Sequence, residues 1–287
     1  MIQNLDLYLF HLVNGWCGNW LLDRIAGYVE EGNLFKGGIV MTAYCWSWFT
    51  GRGEGREARR RTILAALASA LLALIVNRAV ASGLPLRVRP MYEAGIGYHA
   101  PSLPLTFDLE NWSSFPSDHA TYFFALSAGL FFLSRPVGLL MMLYSAIWVC
   151  LPRLYFGIHY PSDLAFGALL GVAVAVAVRM AMTAKNGTLE RRATAPILAF
   201  ERRHPGPFYA AAFVVSFEMA AMFDDVRSAA RALAHGLHLG GHLSFGATAT
   251  VLLIGGAALL AAALALAMMR RRKQIRMPGR EAAGRPE

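Results

Sequence analysis

The chain alternates between apolar runs and short polar or basic stretches. The runs cover residues 34–49, 62–80, 120–133, 136–151, 164–182, 208–223 and 243–269. Most approach the ~20 residues that a helix needs to cross a bilayer, so the pattern predicts a bundle of membrane-spanning helices. Residues 4–33 break the pattern. Leu5, Leu7, Tyr8, Phe10, His11 and Leu12 lead through Asn14-Gly15 to Trp16, Trp20, Leu21 and Leu22. Such a mixture, rich in aromatics, predicts a helix lying in the membrane interface.

Basic residues orient the spans. The stretch from Arg52 to Arg61 holds Arg52, Arg56, Arg59, Arg60 and Arg61, so it is expected inside, with Lys36 snorkelling to the interface before it. Residues 62–80 then carry the chain out. Residues 81–118 form a connection longer than the ~12–15 residues beyond which loops usually have a function or are disordered. Residues 120–133 and 136–151 form a hairpin turning at Ser134-Arg135-Pro136; both runs are short, so their ends are expected below the interface. Residues 164–182 return inside, where Arg179, Lys185, Arg191, Arg192, Arg202 and Arg203 collect. Residues 208–223 and 243–269 must both cross if the basic block 270–273 is also to stay inside. Between them, residues 224–242 hold Asp224, Asp225, His235, His238 and His242 on an expected outer amphipathic helix. These features divide the chain into an interfacial segment (1–33), a membrane core (34–184), a membrane extension (185–273) and a disordered tail (274–287).

Composition agrees with this architecture. The chain of 287 residues is 56% hydrophobic, with mean hydropathy +0.42, too apolar for an ordinary soluble domain. The net charge of +9 resides in loop-sized blocks with no nucleic-acid recognition motif, so nucleic acid is not an expected partner. Cys17, Cys45 and Cys150 have no CxxC spacing; Cys45 and Cys150 read as packing residues in apolar runs. His235, His238 and His242 stand among Gly236, Gly240 and Gly241, which weaken any helix that would align three rings on a metal. The N-terminus lacks the order of a signal peptide.

The hairpin is where chemistry gathers. Pro116-Ser117-Asp118-His119 opens it, and a run from Arg153 through His159 to Asp163 closes it. Two antiparallel spans return the chain to the face it left, so both histidines are expected on one outer, water-facing surface. Paired histidines, a carboxylate and arginines suit phosphoryl transfer: one imidazole can attack phosphorus, the other can protonate the leaving oxygen, and guanidinium groups can hold the charge. Asp118 also reads as a helix N-cap. His99, Glu93 and Tyr98 read as loop packing.

Arg89-Pro90, Pro116-Ser117-Asp118-His119 and Arg153-x5-His159-x3-Asp163 resemble the three motifs of the type 2 phosphatidic acid phosphatase superfamily, over roughly residues 1–184. That resemblance implies an all-α, polytopic helical membrane bundle that hydrolyses lipid phosphates without metal or other cofactor. It implies His159 as the nucleophile, with Asp163 one helical turn on to hold its tautomer. It implies His119 as the general acid and Arg89 and Arg153 as phosphate clamps. Ser117 and the amides of Asp118 and His119, at a helix start, favour an anion. Ser82 stands where the family's first motif has lysine, and Arg87, nearer Arg89-Pro90 than the alternative Arg78, is expected to supply that charge to the phosphate; Pro152 replaces a serine before Arg153. The Asp118 variant, the His159-Tyr160-Pro161-Ser162-Asp163 run and the N-terminal Asn14-Gly15 and Leu21-Leu22-Asp23 are similar to the bacterial undecaprenyl-diphosphatase branch. The expected activity is removal of the terminal phosphate of undecaprenyl diphosphate at the outer face of a bacterial plasma membrane. Alternatives are a phosphatidic acid or phosphatidylglycerophosphate phosphatase, or a lipid-phosphate binding or transport protein with a decayed site. Vanadium-dependent haloperoxidases share the constellation but are soluble. Oligomeric state is not set by the sequence.

Overall fold

The computed structural model describes residues 2–102 and 109–224. The expected span at 243–269, the histidines at 235, 238 and 242, and the tail from residue 274 lie outside the described residues. The compact unit Met1–Met222 is all-helical among those residues.

Helices α1 (Ile2–Asn14) and α2 (Trp20–Glu31) make up the N-terminal segment. Asn19 caps α2, its side chain accepting from the amides of Leu21 and Leu22. A π-helical turn, Leu34–Gly38, leads into α3 (Ile39–Phe49). Helix α4 (Gly53–Ser82) is followed by the long connection, which has one 3-10 turn at Pro90–Tyr92. Helix α5 (Asp118–Leu133) is capped by Ser117. Helix α6 (Arg135–Tyr144) runs through a π-helical turn, Ser145–Cys150, into α7 (Leu151–Tyr155). Helix α8 (Pro161–Arg203) and α9 (Pro205–Ala220) complete the unit.

Among the described residues, three segments are long and apolar enough to cross a bilayer: Gly53–Ser82, Arg135–Tyr155 and Pro161–Ala184. Helix α5 is shorter, with 16 residues, but it is the most enclosed, with Ala120, Phe123, Leu126 and Leu130 fully buried. It packs between α4 and α8. Small residues make the contact close, as membrane helices without a hydrophobic drive between them require. A Cβ at Gly171 of α8 would stand 2.1 Å from the Thr121 carbonyl oxygen of α5. Tyr44 of α3 donates to the Leu126 carbonyl at 2.7 Å, and Tyr122 donates to that of Met219 at 2.9 Å, so α3 and α9 are tied to α5.

One expectation is corrected. Residues 1–33 form two helices with two unlike faces, not one interfacial helix. Leu5, Tyr8, Leu12, Trp16, Trp20 and Leu21 are exposed, as an interfacial surface requires, but Asp6, Asn14, Asp23 and Glu30 are buried. The chain beyond residue 182, where basic residues cluster, is helical and folds back. Arg179 reaches Thr62 at 3.1 Å, and Glu201 reaches Arg60 at 2.6 Å, although a straight helix would separate residues 179 and 201 by about 33 Å. The reversal falls at Asn186 and Gly187, whose φ values are 58° and 70°. Cys45 is exposed, whereas Cys17 and Cys150 are buried. The arginines at the start of α4 mark one end of the bundle, and the hairpin motifs gather at the other, beside Asn77 and Arg78.

Gly171→Ala is expected to lower stability by about 1–3 kcal/mol through overpacking against α5. Thermal unfolding of the detergent-solubilised protein measures this; an unchanged midpoint would mean that the helices do not approach so closely.

Candidate active site

His159 follows a turn that only a residue without a side chain fits well. Gly157 has φ +68°, and a Cβ there would meet the Tyr98 ring at 2.7 Å. The amides of Ile158 and His159 donate back to the Arg153 carbonyl at 2.9 and 3.4 Å, so the third motif is wound around its own arginine.

His159 is 3% exposed. Its Nδ1 lies 2.8 Å from the Ser114 carbonyl oxygen, which can only accept, so Nδ1 carries the proton. Nε2 therefore presents its lone pair, with Arg89 Nη1 at 3.5 Å. Burial, then the charges of Arg89 and Arg153, pull the His159 pKa down to about 4 against the favourable pull of Asp163. At neutral pH the ring is uncharged.

Arg89 is held by three main-chain carbonyls. It donates from Nε to Trp112 at 3.2 Å, from Nη1 to Ile158 at 2.9 Å and from Nη2 to Ser113 at 3.2 Å. Burial, with Arg153 nearby, lowers its pKa to about 10, so it stays charged at neutral pH. Among the described residues it forms no ion pair with a carboxylate. Its charge is thus available to an anion beside Nε2.

The other site arginines face acids. Arg153 Nη2 pairs with Glu30 Oε1 at 2.5 Å, while its buried Nε has no hydrogen-bond partner among the described residues. Arg87 lies against Asp163 Oδ1 at 2.5 Å, Ser162 Oγ at 2.8 Å and Asp6 Oδ2 at 2.9 Å, with its guanidinium 4.2 Å from the Tyr160 ring centre. Its charge is therefore opposed by two carboxylates, Asp6 and Asp163, unlike that of Arg89. Arg78 pairs with Asp118, which also accepts from Asn77 Nδ2 at 2.6 Å.

Asp163 is fully buried. Its Oδ2 accepts from the Tyr160 amide at 2.8 Å but lies 3.8 Å from His159 Nδ1, beyond hydrogen-bond length. The tautomer is fixed by the Ser114 carbonyl, and Asp163 supplies charge at longer range. Ser117 acts as the cap of α5, its Oγ accepting from the Ala120 amide at 3.4 Å. The cap is thus Ser117 and not Asp118. The Ser117 amide donates to the Asp163 carbonyl at 3.2 Å, which joins the starts of α5 and α8. This contact brings half-buried His119, on the first turn of α5, to the end of the bundle that carries His159.

The sequence reading missed several contributors. The Ser114 carbonyl has no sequence signal, because any residue carries one. Asp6 and Glu30 were hidden in a segment read as interfacial. Asn77, an amide within an apolar span, was a visible sign of a polar partner. Glu93 does take part in packing: its carboxylate accepts from the Tyr160 hydroxyl. Tyr98 likewise donates to the Phe156 carbonyl, and the His99 amide donates to Asn14.

Residues 62–186 match the PAP2 superfamily. The chain is 25% identical over 194 residues to YbjG of Escherichia coli (strain K12), whose name assigns it provisionally as an undecaprenyl-diphosphatase; the match covers 67% of this chain and 90% of that protein. It is 42% identical over 66 residues to the bacitracin transport permease protein BcrC of Bacillus licheniformis, covering 23% of this chain and 32% of that one. It is 35% identical over 78 residues to a decaprenylphosphoryl-5-phosphoribose phosphatase of Mycobacterium tuberculosis (strain ATCC 25618 / H37Rv), covering 27% and 42% respectively. No solved structure matches.

The depressed His159 pKa sets a pH dependence. Attack through Nε2 needs the neutral imidazole, so for a His159 nucleophile kcat/KM should hold as pH falls below the ordinary histidine value of about 6.5 and drop only near pH 4. The unfolded chain takes up this proton first, so stability from burying a neutral ring is complete above about pH 6.5 and is lost as pH falls towards 4. A kcat/KM profile with its acid limb at or above 6.5 would contradict the burial argument.

Proposed function

From a chain whose residues 62–186 belong to the PAP2 superfamily, we propose a membrane lipid phosphatase that removes the terminal phosphate of undecaprenyl diphosphate through a phosphohistidine. The observation that carries the reading is the unprotonated Nε2 of buried His159 beside the carbonyl-held Arg89. An anionic phosphoryl group drawn to Arg89 would stand against the nitrogen able to attack it.

His159 Nε2 forms a bond to the terminal phosphorus as the bond to the bridging oxygen breaks. Undecaprenyl phosphate departs as His119 gives a proton to the leaving oxygen. The imidazole becomes cationic, and Asp163 offsets that charge. Water, losing a proton to His119, then attacks phosphorus and releases inorganic phosphate and neutral His159. Arg89 and the Nε side of Arg153 hold the equatorial oxygens, with the amides at the start of α5 facing the same anion. Asp118 takes part indirectly, by fixing Arg78 and Asn77 at the edge of the site. No step requires a metal, since guanidinium and amide donors carry the charge. A prenyl substrate is favoured over a glycerolipid because the names of two relatives specify prenyl phosphates.

Release of phosphate by the purified protein from a panel of undecaprenyl diphosphate, phosphatidic acid and phosphatidylglycerophosphate tests the substrate. Undecaprenyl diphosphate should be preferred, vanadate should inhibit, EDTA should not, and His159→Ala should abolish turnover in a folded protein. Binding of these lipids without turnover would favour the transport reading that BcrC's name suggests. Loss of activity in chelator, restored by a divalent ion, would overturn the metal-free mechanism.

We place the site at the outer face of a bacterial plasma membrane, because the arginine-rich start of α4 lies at the opposite end. Single cysteines near His159 should be labelled in intact cells by an impermeant thiol reagent, in a variant lacking Cys17, Cys45 and Cys150. Those near Arg56 should not; the reverse pattern inverts the topology.

A further inference from the structure

Helices α1 and α2 precede residue 62, where the superfamily match begins. A membrane-surface anchor needs apolar residues on one face and solvated polar residues on the other. Here Asp6, Asp23 and Glu30 point inward and are 5%, 1% and 5% exposed. Burying a carboxylate costs several kcal/mol unless it is paired, so each needs a partner inside.

Asp23 accepts from the Tyr155 hydroxyl at 2.6 Å and from the Ser102 amide at 2.7 Å, and so clamps α2 to the helix that carries Arg153. Asn14 is fully buried and donates to the carbonyls of Tyr155 and His99 at 2.9 and 3.0 Å, clamping α1 to the same place. The other two acids reach the chemistry. Glu30 holds one end of the Arg153 fork at 2.5 Å. Asp6 accepts from the Ser162 amide at 2.8 Å and from Arg87 Nη2 at 2.9 Å, while Nη1 of the same arginine holds Asp163 at 2.5 Å.

We propose that α1 and α2 are a working part of the catalytic site, with Asp6, acting through Arg87, positioning Asp163 behind His159, and Glu30 positioning Arg153. This rests on the phosphatase reading above. It assigns Arg87 to the carboxylate behind the nucleophile and not to the phosphate in front of it. Asp6 fixes Arg87 from the far side, so the guanidinium cannot swing away from Asp163. Glu30 anchors Nη2 and turns the unspent Nε of Arg153 to the phosphoryl oxygens. Neither acid touches substrate, so both should act on the rate of the step rather than on ground-state binding.

The test uses the full-length protein in detergent, with Asp6→Asn, Glu30→Gln, Arg87→Ala, Arg87→Lys and the Asp6→Asn/Arg87→Ala double variant. Each single change should lower kcat by about 10- to 100-fold, the loss expected when reacting groups shift by a fraction of an ångström. KM should stay within about threefold, and vanadate inhibition should weaken in parallel with kcat. The double variant should be no slower than Arg87→Ala, since both changes cut one link. Arg87→Lys keeps the charge and protects the fold but cannot bridge two carboxylates with a fork, so it should fall between wild type and Arg87→Ala. Wild-type kcat in folded Asp6→Asn, Glu30→Gln or Arg87→Lys overturns the inference. So does a raised KM with unchanged kcat, which would make Arg87 a substrate ligand. Lower yields of folded protein with normal kcat and vanadate inhibition per folded molecule would leave these residues merely structural and also overturn it. A wild-type protein that hydrolyses no lipid phosphate removes the phosphatase reading and this inference together.

Discussion

Buried charge is the constraint on which the rest of this structure depends. A site that binds a phosphate group needs guanidinium groups, and a site in a membrane bundle has little water with which to solvate them. The molecule meets both demands by pairing most of its site arginines with acids: Arg153 with Glu30, Arg87 with Asp6 and Asp163, and Arg78 with Asp118. Arg89 is treated differently. Three carbonyl oxygens hold it, which occupies three of its five N–H donors without cancelling its charge. The uncancelled charge therefore stands next to the unprotonated Nε2 of His159, where it can attract an anion.

That arrangement explains the long connection between α4 and α5. It supplies Arg87, Arg89 and the Ser114 carbonyl, and it is pinned by hydrogen bonds to the Gly157 turn and to Asn14. A segment that must offer main-chain carbonyls to a guanidinium cannot spend them in a helix. Its irregularity at the end of the bundle follows from that use. Close packing beneath it keeps the geometry stiff. With α5 tight against α8, the amide of Ser117 meets the carbonyl of Asp163, and the two histidine motifs share one platform.

The same logic separates the two faces of the N-terminal helices. Their exposed residues, Tyr8, Trp16 and Trp20 among them, suit a membrane boundary; their buried residues suit a protein interior that contains arginines. Either face alone would give a plausible helix. An aromatic-rich composition is conspicuous, so the outer face dominates any reading by pattern. The inner face consists of isolated acids whose partners are far away in sequence.

Much of the fold could be read from the sequence. Long apolar runs have few ways to satisfy their backbone groups in lipid other than as helices, and the basic blocks between them gave the bundle its ends. Arg153, His159 and Asp163 could be singled out because their spacing is local, one short loop or one turn of helix relating each to the next, and a hairpin of two apolar runs returns the chain from His119 to them. Residues related only by folding were not legible. Asp6 stands beside Arg87 and Ser162, Glu30 beside Arg153, and the Ser114 carbonyl beside His159 because helices from distant parts of the chain converge there. The fold-back at Asn186-Gly187 was hidden for a related reason, since helical propensity continues on both sides of two left-handed residues. Sequence determined which chemical groups the chain carries and that several of its helices are apolar enough to cross a membrane. Tertiary structure decided which arginine keeps its charge for an anion, because the partner that neutralises a buried charge is chosen by proximity in space.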